Sequence, residues 1–320
     1  ALPIWARKAA RWSIPASRSV QTPFKQALAA MTFEAYLKQQ GLDDVHLRWY
    51  LDYACRDDYG AGIATVSAWA GIHYFASRHG FHAPGAGPES AEHEGLLTWP
   101  EGNAWLTHRL AAPLGKRLRT GHVVLRVAQA RHGVEVDAFS TVTQQVERWQ
   151  AQQAIVALPI FVAVRVVEGA PDFLRQAAQR VVYAPWLVAN IHIREPLHDR
   201  PGPAPSWDNV VYGTQGLGYV NAMHQSLQPV PGATVLTHYR ALGDGAGGPS
   251  AGRKQLLEQP WTHWRDTLLA ELAAAHPDLP AKATRLELTR YGHAMAIPTP
   301  SVRGQIGLQS TSILRKQLSI

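Results

Sequence analysis

The most constraining feature of this sequence is a pair of alternating segments joined by a short turn. In HVVLRVAQ, from His122, and GVEVDAF, from Gly133, apolar and polar residues alternate, and ARHG forms the turn. A period of two is typical of half-buried strands, so the two segments predict a β-hairpin. The next segment, TVTQQVERWQ, predicts a third strand of the same meander.

A short helix is predicted directly before this hairpin. Trp99–Gly102 indicates a turn, and Asn103 is a suitable N-cap residue. Pro113 should kink the helix or end it at Ala112, because proline lacks the backbone N–H and clashes with the preceding turn. Leucines recur every four residues, which predicts an apolar face directed at a core. These leucines are Leu106, Leu110 and Leu114.

The rest of the chain predicts an α+β fold. The segments VVYAPWLVANIHI, ATVLTHYRAL and TRLELTRYGHAM read as strands, and AQQAIVALP reads as a strand that ends at Pro159. PWTHWRDTLLAELAAAHPDLP reads as a helix that begins near Pro260. Helical patterns from Thr32 to Gly80 predict a cap, followed by a linker at His82–Gly95. We expect a mixed sheet built from four regions, those of Val124, Ala154, Val188 and Leu236.

Composition and charge narrow the class of protein. The chain has 320 residues, of which 46% are hydrophobic and 17% charged, as in ordinary globular domains. The net charge is +7, but the basic residues are scattered, so we expect a solvated basic surface first, an anionic ligand next and nucleic acid last, and we predict no nucleic-acid binding. No run approaches the roughly 20 apolar residues of a membrane span. Cys55 is the only cysteine, and we predict a cytoplasmic location.

Three common motifs are absent or lack their structural context. The 15 histidines show no HExxH or paired Cys–His spacing, so we predict no metal site. No G-x-S-x-G elbow is present for a serine hydrolase. Gly243, Gly245 and Gly248 match G-x-G-x-x-G, but Pro249 follows at once where a dinucleotide site needs a helix to begin. We therefore expect a surface loop at these glycines.

Several weaker motifs occur in an order that is typical of one family. The segment WPEGNAWLTHRLAAPLGKRLRTGHVVLRV resembles a Pro-x-Gly-Gly turn, a helix and a Val-x-x-Ile strand, with Asn103 and Val127 replacing the second Gly and the Ile. AQQAIVALP resembles a strand written Ala-x-x-Val-Ile-x-Ala-x-Pro, with Ala154 in place of the Val. RYGHAMAIPTP resembles a run that leads to a flavin ring. From about Met31 to Pro300, the sequence resembles the flavin-containing amine oxidase superfamily, which includes protoporphyrinogen oxidase and phytoene desaturase-like enzymes.

The resemblance implies an FAD enzyme of two intertwined domains. Such an enzyme transfers a hydride from a C–H beside an amine, or from another activated carbon, to flavin N5, and its substrate is a small molecule. In the family, the strand matching Val124 lies beside the adenosine half of FAD, and its main chain contacts adenine. The implied cofactor-binding residues are Val124, Val127, Ala157, Leu158, Pro159, Gly292 and Met295, and the implied substrate-binding residues are Tyr291 and His293.

No catalytic residue is predicted, because Lys254 and His293 are candidates by chemical type only. The resemblance and the linker together suggest four segments. Residues 1–95 form the helical part of a substrate or cap domain, and residues 96–165 form a partial FAD-binding segment. Residues 166–290 form the substrate-binding sheet and helix, and residues 291–320 form a flavin-proximal segment with an atypical tail.

The sequence departs from the family pattern at both ends. Nothing from Ala1 to Ala30 resembles the Rossmann G-x-G-x-x-G unit, and the stretch after Pro300 lacks the Gly-led helix that meets the FAD phosphates. We therefore expect a fragment or a truncated gene product with impaired FAD binding and turnover, or one that a partner chain or oligomer completes. A non-catalytic substrate-domain remnant or binding module is the alternative hypothesis.

Overall fold

The computed structural model describes residues 12–14, 16, 19–77, 98–199, 206–226, 230–245, 247–300 and 302. Among the helices in these ranges, none combines the length and the apolar character that crossing a membrane requires. The helices are α1 (Pro23–Ala29), α2 (Phe33–Gln39), α3 (Val45–Tyr59), α4 (Ala68–Ala76), α5 (Ala104–Ala111), α6 (Ile160–Val166), α7 (Asp172–Arg180), α8 (Gly248–Glu258), α9 (Trp261–Ala273) and α10 (Leu279–Lys282), with 3-10 turns at Ala112–Arg117 and Ala222–Gln225.

The strands form two sheets, and every described strand pair within them is antiparallel. A three-stranded sheet has the order β1-β2-β3, and a five-stranded sheet has the order β5-β6-β7-β4-β8. The strands are β1 (His122–Ala130), β2 (Gly133–Ser140), β3 (Gln145–Ala151), β4 (Val182–Ile193), β5 (Asp208–Asn209), β6 (Tyr219–Asn221), β7 (Thr234–Ala241) and β8 (Ala283–Ile297).

This architecture confirms the α+β class and corrects the predicted sheet. Val124 lies in the three-stranded sheet, whereas Val188 and Leu236 lie in the five-stranded one. Ala154 lies in neither sheet. The prediction of one mixed sheet was wrong because alternation identifies strands but does not show which strands pair.

The chain divides into two compact units. The larger unit contains the described residues of Ala1–Asn103 and Val182–Ser301, and the smaller unit contains those of Ala104–Val181 and Val302–Ile320. The larger unit therefore holds the helices α1–α4 and the five-stranded sheet. The smaller unit holds the three-stranded sheet with α5, α6 and α7.

In the larger unit, one face of the sheet is covered by α8 and α9. Leu187 and Ala189 of β4 pack with Leu256, Trp264 and Leu268, and all five are almost completely buried. Further along the same strand, the buried face continues into a second cluster. Its members are Ile191, Ile193, Tyr219, Leu236, Leu272 and Leu279. From Trp186 to His192, the alternate residues of β4 are only half-buried, so the opposite face of the sheet is more open along this part of the strand.

The N-terminal helices of the larger unit pack around a core of their own, and their role as a cap stays a prediction. Thr32 caps α2 by accepting a hydrogen bond from the N–H of Ala35, and Gly60 ends α3 with a left-handed conformation. Phe33 and Trp69 are among the buried residues of this core, which also includes Ala184 of β4. The predicted stop at Gly80 and the linker at residues 82–95 lie outside the described residues.

In the smaller unit, the described buried side chains are small. Ala128, Ala138, Ala163 and Ala177 are among them. The α5 prediction is correct in position, because the helix ends at Ala111 and continues only as a 3-10 turn. The prediction that its leucines face a core is wrong. Leu106, Leu110 and Leu114 are all exposed, with Leu110 at 76%.

The predicted strand at AQQAIVALP is also wrong beyond its first residue. Ala151 ends β3, and residues 152–159 run without strand pairing to the start of α6. Ile155 is 95% exposed. An apolar run forms a strand only where another strand pairs with it, and no described strand does so here.

The prediction of a surface loop at Gly243, Gly245 and Gly248 is wrong at the last of these glycines, because a helix begins there. Helix α8 starts at Gly248, and Pro249 occupies one of its first positions, where proline is well tolerated. The preceding strand, β7, is antiparallel to its neighbours. A Cβ at Gly243 would lie 2.2 Å from the carbonyl oxygen of Gly60, so this glycine allows a close backbone approach.

Candidate functional site

The residues implied by the family resemblance fall into two groups, one in each unit. The smaller unit contains the strand β1 and the segment before α6, and the larger unit contains the end of β8. The first group is Val124, Val127, Ala157, Leu158 and Pro159, and the second is Tyr291, Gly292, His293 and Met295.

In the smaller unit, Val124 and Val127 lie on an outer strand of the sheet. Val124 pairs with Ala138 of β2, next to a bulge in which Leu125 is the extra residue. On its outer side, within the described residues, β1 makes only the parallel bridge of Val127 to Val167. Both valines are half-buried, so β1 offers apolar side chains beside a largely unpaired backbone edge.

The residues Ala157, Leu158 and Pro159 lie in the unpaired segment before α6. Ala157 and Pro159 are exposed, whereas Leu158 is half-buried. Pro159 takes the N-cap position of α6, and its carbonyl accepts the N–H of Ala163 at 2.8 Å. The segment is therefore an extended lead into a helix, and not the end of a strand.

In the larger unit, the second group lies at a break in the pairing of β4 with β8. Ala184 pairs with Met295 and Trp186 pairs with Tyr291, so the three residues 292–294 lie opposite Pro185 alone. Proline cannot donate to a strand ladder, which explains why the regular register stops here. The result is a bulge of three residues opposite one, and bulges often adjoin active sites because they redirect side chains. We call residues 292–294 the bulge.

The arginine Arg253 of α8 holds this bulge. Its Nε donates to the carbonyl of Gly292 at 2.6 Å, and its Nη2 donates to the carbonyl of Tyr183 at 3.1 Å. The two accepting residues belong to β8 and β4. Lys254, one of the two catalytic candidates by chemical type, is the next residue along α8. Its ammonium group lies 4.0 Å from the carboxylate of Glu258 at the surface.

The second group does not share one environment. Tyr291 is 50% exposed, and His293 is exposed with its ring 6.1 Å from the ring of Tyr183. Met295 instead packs against the N-terminal core, where Gly60 approaches Ala184 so closely that a Cβ would clash. The structure therefore places Tyr291, Gly292 and His293 on an accessible side and Met295 against the core.

The open face of the five-stranded sheet carries aromatic residues that the sequence analysis missed. We define it as the side that carries Trp186, Val188 and Asn190 of β4. Directly paired residues point to the same face, and Tyr239 pairs with Val188 as Tyr291 pairs with Trp186. The rings of Trp186 and Tyr239 lie 6.5 Å apart.

The same register places a carboxylate on the open face. Asp208 of β5 pairs with Val220, Val220 pairs with Thr237, and Thr237 pairs with Asn190. The hydroxyl of Thr237 donates to the side-chain oxygen of Asn190 at 2.9 Å, which ties β7 to β4 on this face. The open face thus combines aromatic rings, neutral polar groups and one acid.

An aromatic stripe in the same unit consists of Trp49 and Tyr53 of α3 and Tyr212 of a loop. Trp49 stacks on Tyr53 with ring centroids 5.7 Å apart and planes 11° apart. Tyr212, from the loop after β5, lies 4.5 Å from the ring of Trp49. The spacing of four residues between Trp49 and Tyr53 places both rings on one side of the helix.

The same two carboxylates, Asp57 and Asp208, act on a tyrosine of this stripe and on a tyrosine of the open face. Burial raises the pKa of Tyr53, and the carboxylates of Asp57 and Asp208 raise it further. Burial also raises the pKa of Tyr239, again with contributions from Asp208 and Asp57. Both phenols therefore stay protonated over a wide pH range and remain hydrogen-bond donors. Rings and carboxylates in one region favour a cation over an anion.

Comparison with known proteins assigns the chain to a family. The profile of the family described as flavin containing amine oxidoreductase matches residues 54–272, which is more than half of the chain. The chain therefore belongs to this family of flavin-dependent oxidoreductases, as the resemblance predicted.

Individual relatives agree with this assignment. An L-amino acid dehydrogenase of Synechocystis sp. is 29% identical over 162 residues, which are 50% of this chain and 31% of the relative. The fold is similar to putrescine oxidase bound to putrescine, with a TM-score of 0.64, 15% identity, and coverage of 92% of this chain and 62% of that chain. Cyclohexylamine oxidase from Brevibacterium oxydans gives a TM-score of 0.62 at 16% identity, with 96% and 66% coverage. The chain thus spans only part of the length of each relative.

The two groups of residues fit parts of the flavin cofactor that the family implies. The outer edge of β1 offers backbone groups beside the half-buried side chains of Val124 and Val127, which suits a flat base. At the bulge, a Cβ on Gly292 would be in ordinary contact with the side chain of Arg253 at 3.7 Å, whereas Tyr291 and His293 are exposed and accessible to a ring. Neither contact requires a side-chain charge of its own.

Proposed function

We propose that this chain provides the substrate-binding face of an FAD-dependent amine oxidoreductase. The observation that carries the proposal is the open face, where Trp186 lies beside Tyr239 and pairs with Tyr291 next to the bulge at Gly292. Membership of the flavin amine oxidoreductase family supports the cofactor class. The proposed substrate is a small organic amine.

The residues of the open face would bind and orient such an amine. The faces of Trp186 and Tyr239 would hold its carbon skeleton, because flat rings cover apolar surface and attract a nearby cation. Asp208 would attract the protonated amine as it approaches. Tyr53 and Tyr239 would remain neutral donors, since burial raises the pKa of both hydroxyls.

The FAD itself, when bound, supplies the redox chemistry by accepting a hydride from the C–H beside the amine nitrogen. By resemblance, Val124 and Val127 are the proposed contacts of its adenosine end, and Ala157–Pro159 are further proposed contacts of the FAD. The bulge with Tyr291 and His293 is the proposed contact region of its ring end. The contribution of the protein is orientation of the amine and exclusion of water from it.

The proposal is tested by turnover of purified protein supplied with FAD and a dye that accepts electrons. A panel of putrescine, cyclohexylamine and L-amino acids covers the chemistry of the relatives. Because FAD binding is expected to be weak, we expect slow dye reduction and release of ammonia with at least one primary amine when FAD is in large excess. Binding of an amine with no turnover would overturn the proposal and favour a non-catalytic binding module.

Two matched variants test whether the open face holds the substrate. Trp186→Leu should lower kcat/KM by about 10-fold or more, because the ring that orients the amine is removed. Trp261→Leu is the control, since this ring is exposed on α9, on the covered side of the sheet. Equal losses in the two variants would show that the open face does not hold the substrate.

A further inference from the structure

The charged side chain of Arg253 binds backbone carbonyls and no carboxylate of the described residues. Its guanidinium donates to two backbone carbonyls, Gly292 on β8 and Tyr183 on β4, at 2.6 and 3.1 Å. No carboxylate of the described residues forms an ion pair with it, whereas Arg240 and Arg265 each have an acidic partner. The charge of Arg253 is therefore directed entirely at the main chain.

The interrupted pairing of β4 with β8 explains why these carbonyls need a donor from a side chain. Pro185 has no N–H, and three residues of β8 lie opposite it, so the ladder between β4 and β8 is interrupted. Carbonyl oxygens next to the break lose their regular partners and require other donors. The guanidinium fork supplies two N–H groups at once, one for each strand.

We propose that Arg253 is a positioning residue that fixes the backbone of the bulge, and through it the direction of Tyr291 and His293. The two hydrogen bonds of Arg253 join β8 to β4 across the break. Without them, the backbone of β8 would be free to move at the residues that have no ladder partner on β4. The consequence for substrate rests on the proposed function, but the contact with the bulge does not. Arg253 acts through the main chain and touches no reacting atom.

The first test observes the bulge without any cofactor. The sequence contains three methionines, Met31, Met223 and Met295, and Met295 immediately follows the bulge. In protein labelled with 13C at the methionine methyl groups, Arg253→Ala should shift or broaden the Met295 signal. The Met223 signal should stay in place as an internal reference. Met295→Leu assigns the signal.

Rescue and a matched control separate positioning from general damage. Methylguanidinium added to Arg253→Ala should return the Met295 signal toward its wild-type position, because it replaces the missing donors. Arg290→Lys is the control, since Arg290 also lies on β8 and also donates to a backbone carbonyl, that of Gln259 at 2.8 Å. An unmoved Met295 signal in Arg253→Ala, or no response to methylguanidinium, would overturn the inference.

The second test measures turnover with FAD and an accepted amine. Arg253→Lys keeps the charge but loses the fork, so we expect kcat to fall by about 10-fold or more with an unchanged unfolding midpoint, because small misplacements slow a reaction strongly. Methylguanidinium should restore kcat in Arg253→Ala. A kcat equal to that of Arg290→Lys would overturn the positioning role. If wild-type protein oxidises no amine, the proposed function fails, while the methionine signals still decide whether Arg253 fixes the bulge.

Discussion

At the scale of single residues, Glu271 of α9 collects three hydrogen-bond donors in the larger unit. Its carboxylate accepts Nε2–H of His238 at 3.1 Å and Nη1–H of Arg240 at 3.0 Å, and the N–H of Gly216 adds a third. Burial alone would raise the pKa of Glu271, but the hydrogen bond from His238 and the charge of Arg240 outweigh it, so this pKa lies below its ordinary value. Ionised Glu271 therefore ties α9 to β7.

The variant Glu271→Gln should lower the free energy of unfolding by about 1–3 kcal/mol, because a neutral amide weakens the bonds to His238 and Arg240. Since the folded pKa is depressed, the contribution of the carboxylate is present above its unfolded pKa of about 4.3 and is lost as the pH falls through the folded value. Urea unfolding at neutral pH and in acid should show that the wild-type advantage narrows in acid.

The control for this prediction is Glu258→Gln on α8. Glu258 is 62% exposed and lies 4.0 Å from Lys254, so its loss should change stability by only about 0–0.5 kcal/mol. A wild-type advantage over Glu271→Gln that grows as the pH falls would contradict the depressed pKa. Similar losses in the two glutamine variants would contradict the role of burial.

At the scale of elements, the position of α8 depends on one glycine. A Cβ at Gly252 would lie 1.9 Å from the carbonyl oxygen of Leu242, which is main chain and cannot move aside. Gly252→Ala should therefore destabilise the protein by about 1–3 kcal/mol, although alanine is the better helix former by about 1 kcal/mol. Thermal unfolding compares it with Gln255→Ala, an exposed change in the same helix, and a more stable Gly252→Ala would disprove the close contact.

Local patterns in the sequence were sufficient to predict most elements. The hairpin of β1 and β2, the strands β4, β7 and β8, and the helices α2, α3 and α9 all follow from periodicity and end residues. Such patterns report which side of an element is apolar, but not what covers it. For that reason Leu110 was expected to face a core and Ile155 to lie in a strand, whereas both are exposed and Ile155 is unpaired.

The candidate site was less predictable than the elements. Tyr291, Gly292 and His293 came from the family resemblance, and the bulge that groups them was not foreseen, although Pro185 within a strand was a usable signal. Trp186 and Tyr239 were missed because their proximity depends on the register of β4 with β7, strands far apart in the sequence. Pairing between distant strands is not encoded in either strand alone.

At the scale of the whole molecule, the prediction concerns how firmly FAD is held. The proposed contacts among the described residues involve the adenosine and ring ends, and none of them is a contact to the phosphates, which helix N-termini usually supply. We expect purified chain to lose added FAD during gel filtration, while an excess of protein still changes FAD fluorescence. AMP should compete for the adenosine end. A yellow protein after gel filtration would mean that the remaining contacts suffice.

The break at Pro185 has a consequence for how this family can diversify. Between the flanking pairs, β4 advances from Ala184 to Trp186 while β8 advances from Tyr291 to Met295, and both steps are even. The two faces of the sheet therefore keep their phase across the interruption, so Met295 lies on the same face as Tyr291, and this face is covered by the N-terminal core at Met295 and accessible at Tyr291. Inserting or deleting two residues at this point would remodel the accessible loop without inverting a single core position, so new ligand contacts can arise here at little risk to folding.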